Sequence, residues 1–162
     1  MSDEKNTMAE FQDPLENYDP HEYADPLESV LNAEPVSILH STPYASVPPD
    51  TSVREALARL AGLHIACLLI EQDGKLVGVF SARDVLNKVA LEHDEVKDLP
   101  VSEVMTTDPV FVYDTDSTAA TLCVMAVSGY RHVPVVNLSG DLVGIVSPQR
   151  VTEFLQDHFE PA

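Results

Sequence analysis

The sequence contains one segment twice, and this internal repeat constrains the fold more than any other feature of the chain. From Pro43 onward, matching residues recur at a constant spacing of 66 positions. GVFSARDV at 78–85, for example, returns as GIVSPQRV at 144–151. Two copies are too few for a solenoid, whose repeats need neighbours on both sides. We therefore predict two small units, over residues 35–99 and 100–162, that pack against each other.

Each copy predicts the same order of elements, β-α-β-β-α. A short extended run precedes a Ser/Thr/Asp cluster that opens a helix, and Val53, Leu57 and Leu60 share one face of the first such helix. Two strands follow, joined by turns that contain Asp-Gly or Ser-Gly, which are hairpin signals. A last helix is predicted over 82–93 and again over 148–159.

The predicted strands are apolar throughout, as in IACLLIE at 65–71, and this pattern is typical of a sheet covered on its faces. Each unit alone is small, and pairing the two buries more apolar surface. The predicted fold class is therefore α+β: two β-α-β-β-α repeats packed through their sheets with pseudo-twofold symmetry. Such packing places a cleft between the repeats.

The charge of the chain restricts its partners. Among 162 residues there are 27 Asp and Glu against 9 Lys and Arg, a formal net charge of −18. This charge repels phosphate polymers and anionic lipids, so we expect neither nucleic-acid nor membrane binding. No stretch approaches the ~18 apolar residues of a membrane span, and the acidic N-terminus is unlike a signal peptide. The cytoplasm is the expected compartment.

The two cysteines lie in apolar runs, which predicts that Cys67 and Cys123 are buried, reduced thiols. No cluster of cysteine and histidine with metal-ligand spacing is present, so we expect no metal site.

Residues 1–34 form an acidic leader that carries ten acids and one base, half of the net charge. Three Asp-Pro pairs interrupt it, and such a composition is typical of a solvated, disordered tail. Within it, Asp25 and Pro26 predict the N-cap and first residue of a short helix. Four apolar or aromatic side chains are spaced along the leader and favour partial docking on a groove of the core or of a partner: Phe11, Leu15, Tyr18 and Tyr23.

Three motifs carry a resemblance to a known family: VMTTDPVFV at 104–112, GYRHVPVV at 129–136, and the pattern G-x-x-S-x-x-D in GVFSARD at 78–84. In this order, and in a duplicated chain, they resemble the CBS domain family, and the tandem pair resembles a Bateman module. The resemblance implies a regulatory module without catalytic activity. It also implies binding of AMP, ADP, ATP or S-adenosylmethionine between the repeats, and disc-like homodimers.

Ser81 and Asp84 have two interpretations, which the sequence leaves open. Ser-x-x-Asp at a helix start is a capping box, in which each side chain bonds the backbone amide of the other residue. The resemblance implies instead that the Asp84 carboxylate accepts the 2′- and 3′-hydroxyls of a ribose. The exposed amides of the helix start would then face ribose or phosphate.

Arg131 and His132 lie between a helix end and an apolar strand. The resemblance implies that they contact ligand phosphates, and arginine suits bidentate phosphate contact. The alternative is an exposed Arg131 and a His132 that packs on the sheet. A spacing of 66 pairs them with Ile65 and Ala66, which carry no charge. The phosphate contacts would then come from the second repeat and serve the Asp84 site.

Arg150 occupies in the second copy the position that Asp84 occupies in the first. A base in the first turn of an exposed helix is unfavourable by about 0.3–1 kcal/mol, so helix stability does not explain it. We interpret the second site as degenerate, with Arg150 as a candidate phosphate contact. The alternative is a surface arginine that pairs with one of the many acids.

For the adenine, we expect an apolar pocket with backbone hydrogen bonds. The resemblance implies that five residues flank the base, each also an ordinary core residue: Val79, Phe80, Met105, Pro109 and Val110. No G-x-S-x-G or H-E-x-x-H motif is present, and Ser81 and Asp84 share one helix turn, so we expect no catalytic residues and no enzyme activity.

Two functions remain. The first is a stand-alone sensor of an adenine nucleotide, with AMP as the favoured ligand. The bound ligand biases the packing of the repeats or of a homodimer, and an unidentified regulated protein recognises this change in packing. The second is a ligand-free dimeric scaffold in which the leader and the dimer surface recruit a protein partner.

Overall fold

The structure is a computed structural model that describes residues 25–39 and 41–159. Its helices are α1 Pro26–Ala33, α2 Val53–Leu63, α3 Ala82–Asp84, α4 His93–Val96, α5 Thr118–Ser128 and α6 Pro148–Phe159. Its strands are β1 Ser46–Val47, β2 Cys67–Gln72, β3 Lys75–Ser81, β4 Thr106–Thr107, β5 Val112–Tyr113, β6 Val133–Val136 and β7 Leu142–Val146. Within these ranges, no helix combines the length and the apolar character that crossing a membrane requires.

The strands form two sheets, in the orders β1-β2-β3-β4 and β5-β6-β7. The first two strands of each sheet pair in parallel and the remaining neighbours pair antiparallel. Each hairpin turns at a glycine with φ of 78°, Gly74 in the first repeat and Gly140 in the second. The predicted fold class, α+β with two repeats in tandem, is confirmed.

The last helix of the first repeat differs from the prediction. In place of one helix over 82–93, α3 runs into a π-helical turn at Val85–Val89, and α4 begins only at His93. The turn is closed by the Ala90 amide, which donates to the Val85 carbonyl at 2.8 Å. Single π-helical turns are frequent at functional sites. In the second repeat, α6 is continuous over the predicted range.

The strand registers correct the predicted spacing of the repeat. Ile70 lies opposite Gly78 in the first sheet, and Val135 lies opposite Gly144 in the second. The first strands and helices of the repeats therefore correspond at a spacing of 65, and only the later elements at 66, because the turn between β6 and β7 is one residue longer. Arg131 and His132 thus correspond to Ala66 and Cys67, not to Ile65 and Ala66.

The lead segments of the two copies, residues 35–43 and 100–109, pack crosswise. Val36 and Leu39 are buried in the core of the second repeat, whereas Val101 and Val104 are buried in the core of the first. Two matching bridges accompany this exchange, Pro35 with Ser117 and Pro100 with Ser52. The sequence copies and the packed cores therefore differ, because each core is completed by residues of the other copy.

A third apolar cluster joins the two sheets. It contains Cys67, Leu69 and Val79 from the first repeat and Leu142 from the second, with Ile145 packed beside them. The predicted packing of the repeats through their sheets is confirmed by this cluster.

The end of the leader is docked as a helix. Asp25 caps α1, its carboxylate accepting the Leu27 amide at 2.9 Å, and α1 packs on α5 with Val30 and Leu31 against the second core. The predictions for residues 1–24, including those for Phe11, Leu15, Tyr18 and Tyr23, lie outside the described residues.

The prediction of two buried thiols is wrong for one of them. Cys67 is buried, but Cys123 is exposed on α5. That helix, TAATLCVMAVS, carries no charged residue, so its apolar pattern does not distinguish the buried face from the exposed one.

Candidate functional site

The seam between the sheets opens into two clefts. The first cleft, of about 250 Å³, lies between the start of α3 and the loop before β6. The second cleft, of about 500 Å³, lies between the start of α6 and the loop before β2. Three residues line both clefts: Ala66, Cys67 and His132. Five of the ten predicted site residues line the first cleft: Val79, Ser81, Asp84, Arg131 and His132. The rest of its lining is Ala66, Cys67, Ala82, Arg83, Thr106, Gly129 and Tyr130.

Asp84 lies at the base of the first cleft with 4% of its surface exposed. Its Oδ2 accepts the Ser81 amide at 2.9 Å and the Ser81 hydroxyl at 2.7 Å. Its Oδ1 accepts the Lys88 ammonium at 2.9 Å and the Thr106 hydroxyl at 2.7 Å. The Asp84 amide in turn donates to Ser81 Oγ, so the predicted capping box is confirmed.

These bonds determine the charge of Asp84. Burial by itself raises the pKa of this carboxyl, but the hydrogen bonds from Lys88, Thr106 and Ser81 outweigh it and hold the pKa below its ordinary value. The group is therefore an anion at neutral pH. A carboxylate has about four lone-pair positions, and each of the four bonds uses one. A further donor has to replace one of the present donors.

Lys88 and Thr106 were not among the predicted site residues. Lys88 is four residues after Asp84, a spacing that places two side chains on one helix face. The contact between them could therefore have been predicted from the sequence. Its ammonium also donates to the Met105 carbonyl at 2.9 Å. Thr106 approaches Asp84 only because β4 pairs with β3 of the other copy, and no local pattern indicates that pairing.

Arg131 and His132 form the opposite wall of the first cleft. Arg131 is exposed and His132 is partly buried. Burial, and secondarily the neighbouring Arg131 charge, lower the pKa of His132, so the imidazole is neutral at pH 7. The positive charge around the cleft comes from Arg131 on this wall and from Arg83 on α3, whose guanidinium donates to the Gly129 carbonyl at 3.4 Å. Arg83 was missed because in sequence it is only a base near a helix start.

The structure separates the residues predicted to flank adenine. Val79 lines the first cleft, but Phe80 is fully buried in the core of the first repeat, because neighbouring side chains of a strand point to opposite faces. Met105 packs against Gly78, Pro109 is buried, and Val110 is 43% exposed. These four residues lie outside the lining of the first cleft.

Arg150 lies in the second cleft, apart from the predicted site. Its two terminal nitrogens donate to the carbonyls of Thr42 and Pro43, each at 3.1 Å. The side chain therefore holds the first lead segment rather than a surface acid. Its contact with a phosphate remains a prediction.

Cys67 lies in the wall shared by the clefts, where burial and the charge of Asp84 raise the pKa of the thiol to about 12. It is a protonated, unreactive group at neutral pH. Across residues 25–39 and 41–159, no three side chains of His, Cys, Asp or Glu group together as metal ligands.

Known proteins resemble this chain in both of its repeats. The family model described as CBS domain matches twice, over residues 36–91 and 101–157. An uncharacterized 17.7 kDa protein of Acidianus ambivalens is 30% identical over 126 residues, 77% of this chain and 75% of that protein. The CBS domain-containing protein CBSCBSPB5 of Arabidopsis thaliana is 33% identical over 102 residues, 62% of this chain but 18% of the plant protein. This chain therefore spans less than a fifth of the plant relative.

Solved structures share the fold. A CBS domain protein from Pyrobaculum aerophilum, complexed with AMP, is 30% identical with a TM-score of 0.65, covering 72% of this chain and 89% of that one. CBSX2 in complex with AMP is 28% identical with a TM-score of 0.67, covering 78% and 100%. Because the family model covers most of both repeats, and the fold agrees with these structures, the chain belongs to the CBS domain family as a tandem pair of CBS domains.

Proposed function

We propose that this chain is a regulatory module that binds an adenosine-type nucleotide, AMP first among the candidates, in the first cleft. One observation carries the proposal: the buried, anionic Asp84 lies in a cleft that Arg131 and Arg83 also line. In a chain with a net charge of −18, this cleft pairs a hydroxyl acceptor with cations that suit a phosphate. The AMP complexes of two related CBS proteins support this ligand class.

The ribose takes the place of protein hydroxyls. The Ser81 and Thr106 hydroxyls donate to Asp84 and can rotate away, whereas Lys88 supplies the charge that keeps the carboxylate ionised. A 2′,3′-diol offers two such donors with the same chemistry. Its binding releases Thr106, which belongs to β4 at the junction between the repeats.

That release connects binding to regulation. Thr106 is part of the lead segment that exchanges between the cores, so a ligand that competes for Asp84 alters how this segment is held. A ligand shifts a conformational equilibrium only through such a differential contact. We propose that a partner protein reads the resulting change in repeat or dimer packing.

Isothermal titration calorimetry of the purified chain with AMP, ADP, ATP and S-adenosylmethionine tests the proposal. We expect saturable binding with AMP among the tighter ligands. Absence of heat with all four ligands, in a folded sample, contradicts the proposal and leaves the dimeric scaffold as the remaining function.

Replacing Arg131 by alanine is expected to weaken the binding of AMP about 10- to 100-fold, because a hydrogen bond to a charged group contributes about 1.5–3 kcal/mol. Adenosine, which has no phosphate, should bind the variant as it binds the wild type. Arg59→Ala is the matched control, since Arg59 is an exposed arginine paired with Glu55 on α2. Equal loss for AMP and adenosine would show that Arg131 does not contact the phosphate.

We also propose that two copies of the chain associate through α5. This helix has no charged residue and leaves Val127 86% exposed. For chains of net charge −18, an uncharged surface is where two copies meet with the least repulsion. We expect Val127→Lys to shift the mass measured by sedimentation equilibrium from dimer to monomer, while Arg59→Ala stays dimeric. A wild-type monomer at all concentrations contradicts the dimer.

A further inference from the structure

We propose that Arg150 prevents adenosine ligands from binding in the second cleft, where its side chain hydrogen-bonds the first lead segment of the same chain. Each chain then binds one nucleotide, and the identity of residue 150 determines that number. This inference rests on the proposed function of the first cleft.

The two clefts are built on equivalent contacts. In the first, Asp84 is the third residue after Ser81, and the strand before it lies against the second lead segment, Val79 pairing with Thr106. In the second, Arg150 is the third residue after Ser147, and the Ile145 amide donates to the Ser41 carbonyl of the first lead segment at 2.9 Å. Residues 84 and 150 therefore occupy the same place relative to the segment that crosses over.

The direction of hydrogen bonding is reversed between them. In the first cleft the segment donates, from the Thr106 hydroxyl to the Asp84 carboxylate at 2.7 Å. In the second cleft the segment accepts, from Arg150 onto the carbonyls of Thr42 and Pro43. In both clefts this side chain is hydrogen-bonded to the lead segment of the other copy, but the second cleft lacks the carboxylate acceptor.

This reversal acts against a ribose specifically. A guanidinium has five donors and no acceptor, so it cannot accept the O–H protons of a 2′,3′-diol as a carboxylate does. Its two terminal nitrogens already donate to the carbonyls of Thr42 and Pro43, so the bonds that the Asp84 carboxylate would offer a diol have no counterpart here. Space is not the limit, because the second cleft is about 500 Å³ against about 250 Å³ for the first. One cation of the first cleft has no counterpart here, since Ala66 stands where Arg131 stands in the other repeat, although His132 lines this cleft as well. Chemistry, rather than volume, excludes the nucleotide.

Arg150→Asp tests the inference by restoring the acceptor. Calorimetry with adenosine and with AMP should give one site per chain for the wild type and two for Arg150→Asp. The variant is expected to fold, because it places a carboxylate three residues after Ser147 and so completes a capping box at the start of a twelve-residue helix, and circular dichroism verifies this. The reverse change, Asp84→Arg, should give no site, and the double variant should give one, in the second cleft.

The outcomes separate the two proposals. Two sites in the wild type, or one site in a folded Arg150→Asp protein, overturns the role of Arg150. No site in the wild type but one in Arg150→Asp supports Arg150 and overturns the first-cleft function. No site in either protein overturns both. If Arg150→Asp does not fold, Asp84→Arg provides the test. One site retained in Asp84→Arg overturns the inference, since an arginine at the equivalent position then fails to prevent nucleotide binding. Loss of that site supports the inference.

Discussion

Asp84→Asn is expected to weaken AMP binding by at least about 100-fold, measured by calorimetry at pH 7. The substitution keeps the shape of the side chain but removes the charge that two ribose hydroxyls would share, and each charge-assisted bond contributes about 1.5–3 kcal/mol. Asp157→Asn, on the exposed face of α6, is the control and should bind as the wild type does. Binding of AMP to Asp84→Asn within threefold of the wild type would remove Asp84 from the site.

The same variant should lose stability with a defined dependence on pH. The folded pKa of Asp84 lies below its ordinary value, so its contribution is present above the unfolded pKa of about 3.9 and is lost as the pH falls through the folded value. We expect Asp84→Asn to cost about 1–3 kcal/mol at pH 7, because the buried carboxylate loses its charge-assisted bonds from Lys88, Thr106 and Ser81. The difference from the wild type should shrink below pH 4 in urea unfolding. A difference that grows on acidification would contradict the lowered pKa.

Gly144→Ala is expected to destabilise the chain by about 1–3 kcal/mol or more, the usual cost of overfilling a packed site. A Cβ at this position would lie 2.7 Å from the Ser41 carbonyl oxygen and closer still to the Ser41 side chain. Ser41 cannot withdraw freely, because its carbonyl accepts the Ile145 amide at 2.9 Å. Thermal unfolding should show a melting temperature lower by roughly 2–4 °C per kcal/mol for a chain of this size.

Gly62→Ala is the matched control, with the opposite expected sign. Gly62 lies inside α2, and a Cβ there would meet no atom within 4 Å. Alanine in a helix interior is about 0.5–1 kcal/mol more favourable than glycine. A Gly144→Ala protein as stable as Gly62→Ala would show that the lead segment does not pack tightly on β7.

How well the residues around the clefts could be predicted depends on how far apart in sequence their contacts are. The helix start at Asp25 and the capping box of Ser81 and Asp84 were predicted correctly, since each is formed by groups within three residues of one another. The residues predicted to flank adenine depend instead on contacts between strands. Phe80 and Val79 are neighbours with similar chemistry, and only the strand register decides which of them faces the cleft.

The repeat was identified from the sequence, but its alignment was shifted by one residue before the hairpin. Val112 and Val135 are paired as Val47 and Ile70 are, at a spacing of 65. Valines and isoleucines recur along these strands, so one-residue shifts preserve a similar apolar match. The hydrogen-bonded register distinguishes them because a shift by one turns every side chain to the other face.

The sequence by itself determined the duplication, the order of elements, the helix caps and the change from Asp84 to Arg150. These features depend on residue identity and on bonds within a few positions. The tertiary structure decided the exchange of lead segments, the donors that fill Asp84, and the carbonyls that Arg150 holds more than a hundred positions away. Backbone carbonyls are chemically alike along the whole chain, so only packing brings one particular pair to a given guanidinium.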